Sequence, residues 1–221
     1  MRTDYLNKAL LNAVYRNTTY TSVATVYASL LTAITAAKAG TVTEATWTSY
    51  ARIAVTYAAP AAGSGGWKIQ NSGTVTFAQN PSNGSTVTVI GVGIYDALTA
   101  GNLLDVVMLD PTGTTPIEAT AIDTAGGVWD APAHGMSANQ QVRIEQRAGQ
   151  ALPGNFAVDT VYYVISAGLT ANAFELSTSQ GGGVNLPSSV GEALIMRLTP
   201  ITINPGDTPQ FAANALTLFD N

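Results

Sequence analysis

The residue types that usually carry catalysis are scarce in this chain. Its 221 residues include one histidine, His134, and no cysteine. Zinc sites, Ser-His-Asp triads and Cys-His pairs draw on these side chains, so each is absent or reduced to a single-histidine version. His134 sits in Ala133-His134-Gly135, a turn pattern in which an imidazole is expected to bond nearby backbone. Two-carboxylate hydrolysis needs only acids, and Asp96, Asp105, Asp110, Asp123 and Asp130 are the candidates. Most flank Gly, Pro or Thr at expected strand ends, where Asp serves turns, and nothing in the spacing joins any two. Calcium is a more realistic small partner, since Asp207 with Asn204 could supply oxygens, but no loop matches a calcium-binding repeat. Gly91-Val92-Gly93 lacks the third glycine and the following helix of a dinucleotide loop. The expectation is a protein that is not an enzyme and carries no cofactor.

Aromatic side chains are the remaining candidates for contact. Trp67, Trp129 and His134 are candidate glycan or interface contacts, the tryptophans because aromatic platforms stack on sugar rings and anchor interfaces, the histidine as a ligand or pH switch. For these residues and for Trp47, packing in a core or a subunit interface is the competing reading.

Composition sets the background. Only 10% of residues are charged, against roughly a quarter in a typical domain, while 46% are hydrophobic. Polarity must come from Thr, Ser, Asn, Gln and backbone, which suits strands and broad neutral contacts between repeated copies. The net charge is −5 and the nine Lys and Arg are scattered singly, so no basic stripe exists for nucleic acid. Polar residues interrupt the N-terminal region and residues 21–39, which predicts neither a signal peptide nor a membrane span. The lack of cysteine fits assembly in a reducing cytoplasm.

The elements that would hold these residues read as β, after one helix. Asp4 is a candidate N-cap, and Leu6, Leu10, Ala13 and Val14 follow at helical spacing, predicting a helix over 4–15 that either covers one end of a β core or docks on a partner. Between Val23 and Ile34 the periodicity favours helix, whereas the density of Thr, Val and Tyr favours a strand buried on both faces. From Ser49 the pattern is β: 50–57, 74–77 and 86–95 are expected strands, 58–66 an Ala/Gly/Pro loop, and Asn80-Pro81-Ser82-Asn83-Gly84 a turn. Gly91 and Gly93 within a strand suggest a bulge or a close approach. Pro111 to Pro116 is linker-like, and a second β segment follows with strands at 141–146, 160–166, 173–178 and 192–198. Residues 201–218, with an Asn204-Pro205-Gly206-Asp207 turn, return to the manner of the first half. The chain is thus expected to be an all-β antiparallel sandwich, jelly-roll or Ig-like, over 1–110 and 199–221, with a small β domain inserted at 111–198.

Several blocks carry a family resemblance: Met1 to Leu11, Thr25-Val26-Tyr27-Ala28-Ser29-Leu30, Ser49-Tyr50-Ala51-Arg52, Gly93-Ile94-Tyr95-Asp96-Ala97, Gly101-Asn102-Leu103-Leu104, and Asn204 to Ala213. In order and spacing they resemble a family of small tailed-bacteriophage structural proteins, tail-fibre-like or minor virion proteins. The resemblance covers about 1–110 and 199–219. It implies a strand at 25–32, a place on the outside of a virion as a tail-associated or capsid decoration protein, and partners among copies of itself and other virion proteins. The segment 111–198 departs from the family and resembles a recurrent phage β-module. A carbohydrate-binding adhesin domain that recognises a host surface glycan is the alternative. No nucleic-acid or membrane partner is expected.

Overall fold

In a computed structural model, residues 1–63, 66–109, 116–121 and 123–219 are described. The chain divides into two compact units: Met1–Leu109 with Pro200–Asn221, and Asp110–Thr199.

The first unit opens with helix α1 (Asp4–Tyr15). Its N-cap is Thr3, whose hydroxyl accepts the Leu6 amide, while the expected cap Asp4 lies in the first turn, where a carboxylate favours the positive end of the helix dipole. Asn17, at φ 52°, turns the chain out of the helix in the left-handed conformation that Asn tolerates. Strands β1 (Val26–Ala36), β2 (Thr41–Glu44), β3 (Ile53–Val55), β4 (Ala61–Gly63), β5 (Gly66–Gln70), β6 (Val75–Thr76), β7 (Val87–Val89), β8 (Gly91–Tyr95) and β9 (Leu103–Met108) follow. After the second unit come β16 (Ile201–Ile203), β17 (Gln210–Phe211) and β18 (Thr217–Phe219).

A five-stranded antiparallel sheet runs β2-β1-β8-β9, and β3 pairs with the first residues of β1. The ambiguous segment is strand β1, buried from Ala28 through Leu31. A strand covered on both faces loses its period-two signature, which is why its spacing could pass for helical. The two glycines of β8 allow close approach: a Cβ on Gly91 would lie 2.7 Å from the Ile34 side chain and 2.9 Å from the Val107 carbonyl, and one on Gly93 would lie 2.9 Å from Ser29 Oγ. Three small ladders, β7–β16, β6–β17 and β4–β5–β18, complete the unit. Residues 58–66 are not wholly loop, because Ala61 and Ala62 pair with Lys68 and Trp67. Small residues of low strand propensity hide that pairing from a sequence reading.

The second unit is a closed barrel of β10 (Ile117–Ala121), β11 (Val128–Asp130), β12 (Gln141–Gln146), β13 (Val161–Val164), β14 (Ala173–Ser177) and β15 (Gly191–Arg197), in the order β10-β11-β14-β13-β12-β15. Closure removes free strand edges. Along β12, Val142 and Ile144 point inward and are fully buried. Ala119, Ala121 and Ala193 share the interior with Trp129, Tyr162 and Phe174, small side chains making room for large ones. The expected all-β class with a short N-terminal helix holds. No described helix is long and apolar enough to cross a membrane.

Candidate functional site

The aromatic candidates separate. Trp129 has no exposed surface: β11 lies between β10 and β14, and its inward position stacks the indole on Phe174 at 6.1 Å, with Phe156 edge-on at 5.0 Å. His134 is 2% exposed; its Nδ1 accepts the Met136 amide at 3.0 Å, and its Nε2 lies 3.3 Å from the Ala173 carbonyl. This network fits the neutral tautomer protonated at Nε2. Neither side chain offers a surface contact: Trp129 packs in a core and His134 bonds nearby backbone, so for these two positions the competing readings hold and the glycan or interface contact is corrected. Trp67, on β5 in the first unit, is 59% exposed.

The carboxylates do not converge as a pair. Asp96 accepts the Asn102 backbone and side-chain amides at 2.6 and 2.8 Å, and Asp123 accepts from Ala125 and Gly126, both at 2.8 Å. Asp207 accepts the Asn204 amide at 2.7 Å, so the calcium candidate is holding its own turn. Asp130 is exposed at the end of β11, and Asp110 lies outside the described residues. Among the described residues no group of three His, Asp or Glu could hold a metal. Asp105 is buried beside the Met1 amine, 2.7 Å from Oδ1. Burial pushes its carboxyl above the usual range, and the nearby amine partly offsets that.

The blocks that carry the family resemblance meet in space, and they do structural work. The Tyr50 hydroxyl accepts the Leu30 amide at 2.7 Å, and burial raises its pKa. Arg52 forks onto Glu44 at 2.6 and 3.1 Å, donates to the Ala97 carbonyl at 2.9 Å and lies 3.4 Å above the Tyr95 ring. That use of a planar, always-charged group ties β2, β8 and the turn after β8 together. Asn71, fully buried, donates to the Gly73 and Ala212 carbonyls and accepts the Leu216 amide, holding the closing segment. The two Asn-Pro turns also join: Asn80 N donates to Asp207 O at 2.9 Å and Gly206 N to Asn80 O at 2.7 Å.

Two of the solvent-open features of the first unit combine exposure with apolar side chains. One is α1, which has no buried residue. Its base is fixed, with Thr3 N and Oγ1 donating to Leu104 and Leu103 carbonyls and Asp4 N to Lys38 O, yet Leu11, Val14 and Tyr15 at its far end are 57, 69 and 79% exposed. The other is a cavity of about 450 Å³ lined mainly by apolar residues such as Leu6, Trp67 and Leu218, together with Tyr57 and the charged Arg2, Lys68 and Asp105. The Tyr57 hydroxyl is buried there with no hydrogen-bond partner among the described residues, and burial raises its pKa. Sequence reading missed the roles of Arg52, Asn71 and Tyr57, since Arg52 reaches Ala97, Asn71 reaches Ala212 and Leu216, and Tyr57 shares its cavity with Leu218, all distant along the chain.

No curated protein matches the chain. The family model of podophage GP4 fiber I protein gp80 matches residues 2–121, more than half of the sequence. That agrees with the resemblance to a tailed-phage fibre-like family, while the closing segment after residue 199 lies outside the match. The chain belongs to the Gp80 family of podophage fibre proteins.

Proposed function

We propose that the chain is a structural component of the exterior of a phage virion, in or beside a tail fibre, acting through contacts with copies of itself and other virion proteins and not by catalysis. The family match over residues 2–121 carries this reading. In it the first unit is a sandwich-like anchor, since Ala28, Leu30, Val92 and Ile94 of the broad sheet share a core with Val75, Val89, Ile203 and Phe211 of the small ladders. The barrel is a module inserted into that anchor. Quantifying copies in purified particles tests the placement: tens of copies support a fibre or tail part, whereas copies in the hundreds would reject it in favour of capsid decoration. A second reading, host-glycan contact, is favoured by the exposure of Trp67. Glycan-array binding lost in Trp67→Ala would support it, and silence of the intact protein would reject it.

A further inference from the structure

We propose that Asn83 is a site of spontaneous modification, where its side chain closes on the Gly84 amide and is converted to aspartate and isoaspartate. Asn83 is the one asparagine of the sequence that precedes glycine. A following glycine has no Cβ to block the approach of its amide nitrogen to the carboxamide. Asn83 is exposed in the turn over 81–84, and its side chain has no hydrogen-bond partner among the described residues.

The asparagines that compare with it are shielded. Asn80 and Asn204 precede Pro81 and Pro205, which have no amide hydrogen to give up. Asn71 precedes the small Ser72, but it is fully buried, with its Nδ2 donating to two carbonyls and its Oδ1 accepting the Leu216 amide.

The reaction needs only water and hydroxide. Hydroxide removes the Gly84 amide proton, and the nitrogen attacks Cγ of Asn83. A new N–C bond closes a five-membered imide, while the Cγ–Nδ2 bond breaks and Nδ2 leaves as ammonia with a proton from water. Water then opens the ring. Addition at Cγ restores the ordinary backbone with an aspartate side chain. Addition at the Asn83 backbone carbonyl carbon leaves the chain running through Cβ and Cγ, which is isoaspartate, with one extra methylene in the backbone and a free α-carboxylate. Gly84 N donates to Pro81 O at 2.8 Å, so that bond has to open first. Ser82, Asn83, Ser85 and Thr86 are all exposed, which places the turn among segments that open without global unfolding.

The joint beneath the turn has no slack for a longer backbone. A Cβ on Gly84 would collide with Asn80 Oδ1 and lie 2.9 Å from the Pro81 carbonyl oxygen. Asn80 Nδ2 donates to Ser85 O at 2.9 Å, and the Asn80 backbone makes both bonds to the Gly206-Asp207 turn. Conversion at Asn83 therefore acts as a slow clock that loosens the closing segment of the first unit.

Folded protein kept in mildly alkaline buffer should gain about one dalton per chain, located at Asn83 by fragmentation. The rate should rise about tenfold per pH unit, following hydroxide. Isoaspartyl methyltransferase, which esterifies the free α-carboxylate, should label aged protein and not fresh protein. Asn83→Gln, whose ring would need six members, should abolish the gain and, at an exposed position, keep the fold. A gain in the urea-unfolded chain with none in the folded chain over the same time would overturn the site, as would a gain located at Asn71. The isoaspartate form, separated by ion exchange, should unfold at lower denaturant in the first unit's transition alone. Asn83→Asp, with the charge but not the extra methylene, should unfold like fresh protein. An isoaspartate form as stable as fresh protein would overturn the clock.

Discussion

The barrel and the first unit meet the same demand, burying a weakly charged and apolar chain, in opposite ways. The barrel closes β10 to β15 on themselves and uses its aromatics inside, with Trp129, Phe174 and Ile144 showing no exposed surface. The first unit spreads its strands over an open sheet and three short ladders, and leaves Trp67, Leu11, Val14 and Tyr15 outside. Closure makes a self-sufficient unit; openness leaves surfaces for something else to cover. The fibre-family match falls mostly on the open unit.

If the contrast is sound, damage should stay local. Trp129→Ala removes the largest fully buried side chain and should destabilise the barrel by about 3–5 kcal/mol. Calorimetry should show one transition displaced and the first unit's retained; a joint collapse would break the division. The Leu30 amide is buried with Tyr50 as its acceptor, so Tyr50→Phe should cost the first unit about 1–3 kcal/mol in chemical unfolding and leave the barrel unmoved.

Alkaline titration compares the units directly. Burial raises the phenols of Tyr50 and Tyr57 and pushes Tyr95 up to about 12, while the barrel has Tyr162 similarly raised. A group whose folded pKa is raised adds stability in full below its unfolded value of about 10, and that stability is lost as pH rises through the folded value. The first unit, with three such groups, should lose stability more steeply between about pH 10 and 12, as read by phenolate absorbance alongside circular dichroism.

The smallest effect concerns Asp105. Its raised pKa means that its contribution is full below about pH 4 and is lost as pH rises through the folded value. Asp105→Asn should therefore leave stability at neutral pH unchanged or higher by up to about 1 kcal/mol in denaturant titration. A large loss would show the pairing with the Met1 amine outweighing the cost of burial.

Sequence patterns exposed local order better than distant partnership. The bounds of α1, the strand over 141–146 and the Asn-Pro turns are legible because helical spacing, alternation and turn chemistry act within a few residues. The inward turn of Trp129 was not legible, because an aromatic residue in a short strand looks the same whether its face is covered by water or by Phe174. Nor was the Arg52–Glu44 fork or the Asn71 hub, whose partners lie across the sheet or at the far end of the chain.

The barrel's position in the chain also has a consequence for how the protein is made. β16, β17 and β18 pair with β7, β6 and β5 across the whole intervening unit, so the first core has to wait for its last strands, which leave the ribosome after the barrel sequence. β10 and β15 lie side by side, with Ile117 opposite Ile195, so a folded barrel brings its own entry and exit together and shortens the gap that the closing strands must bridge. Early barrel formation would thus act as a splint for the completion of the first unit. A slow or failed barrel would leave Val75 and Val89 without Phe211 and Ile203, and so leave newly made chains prone to aggregate.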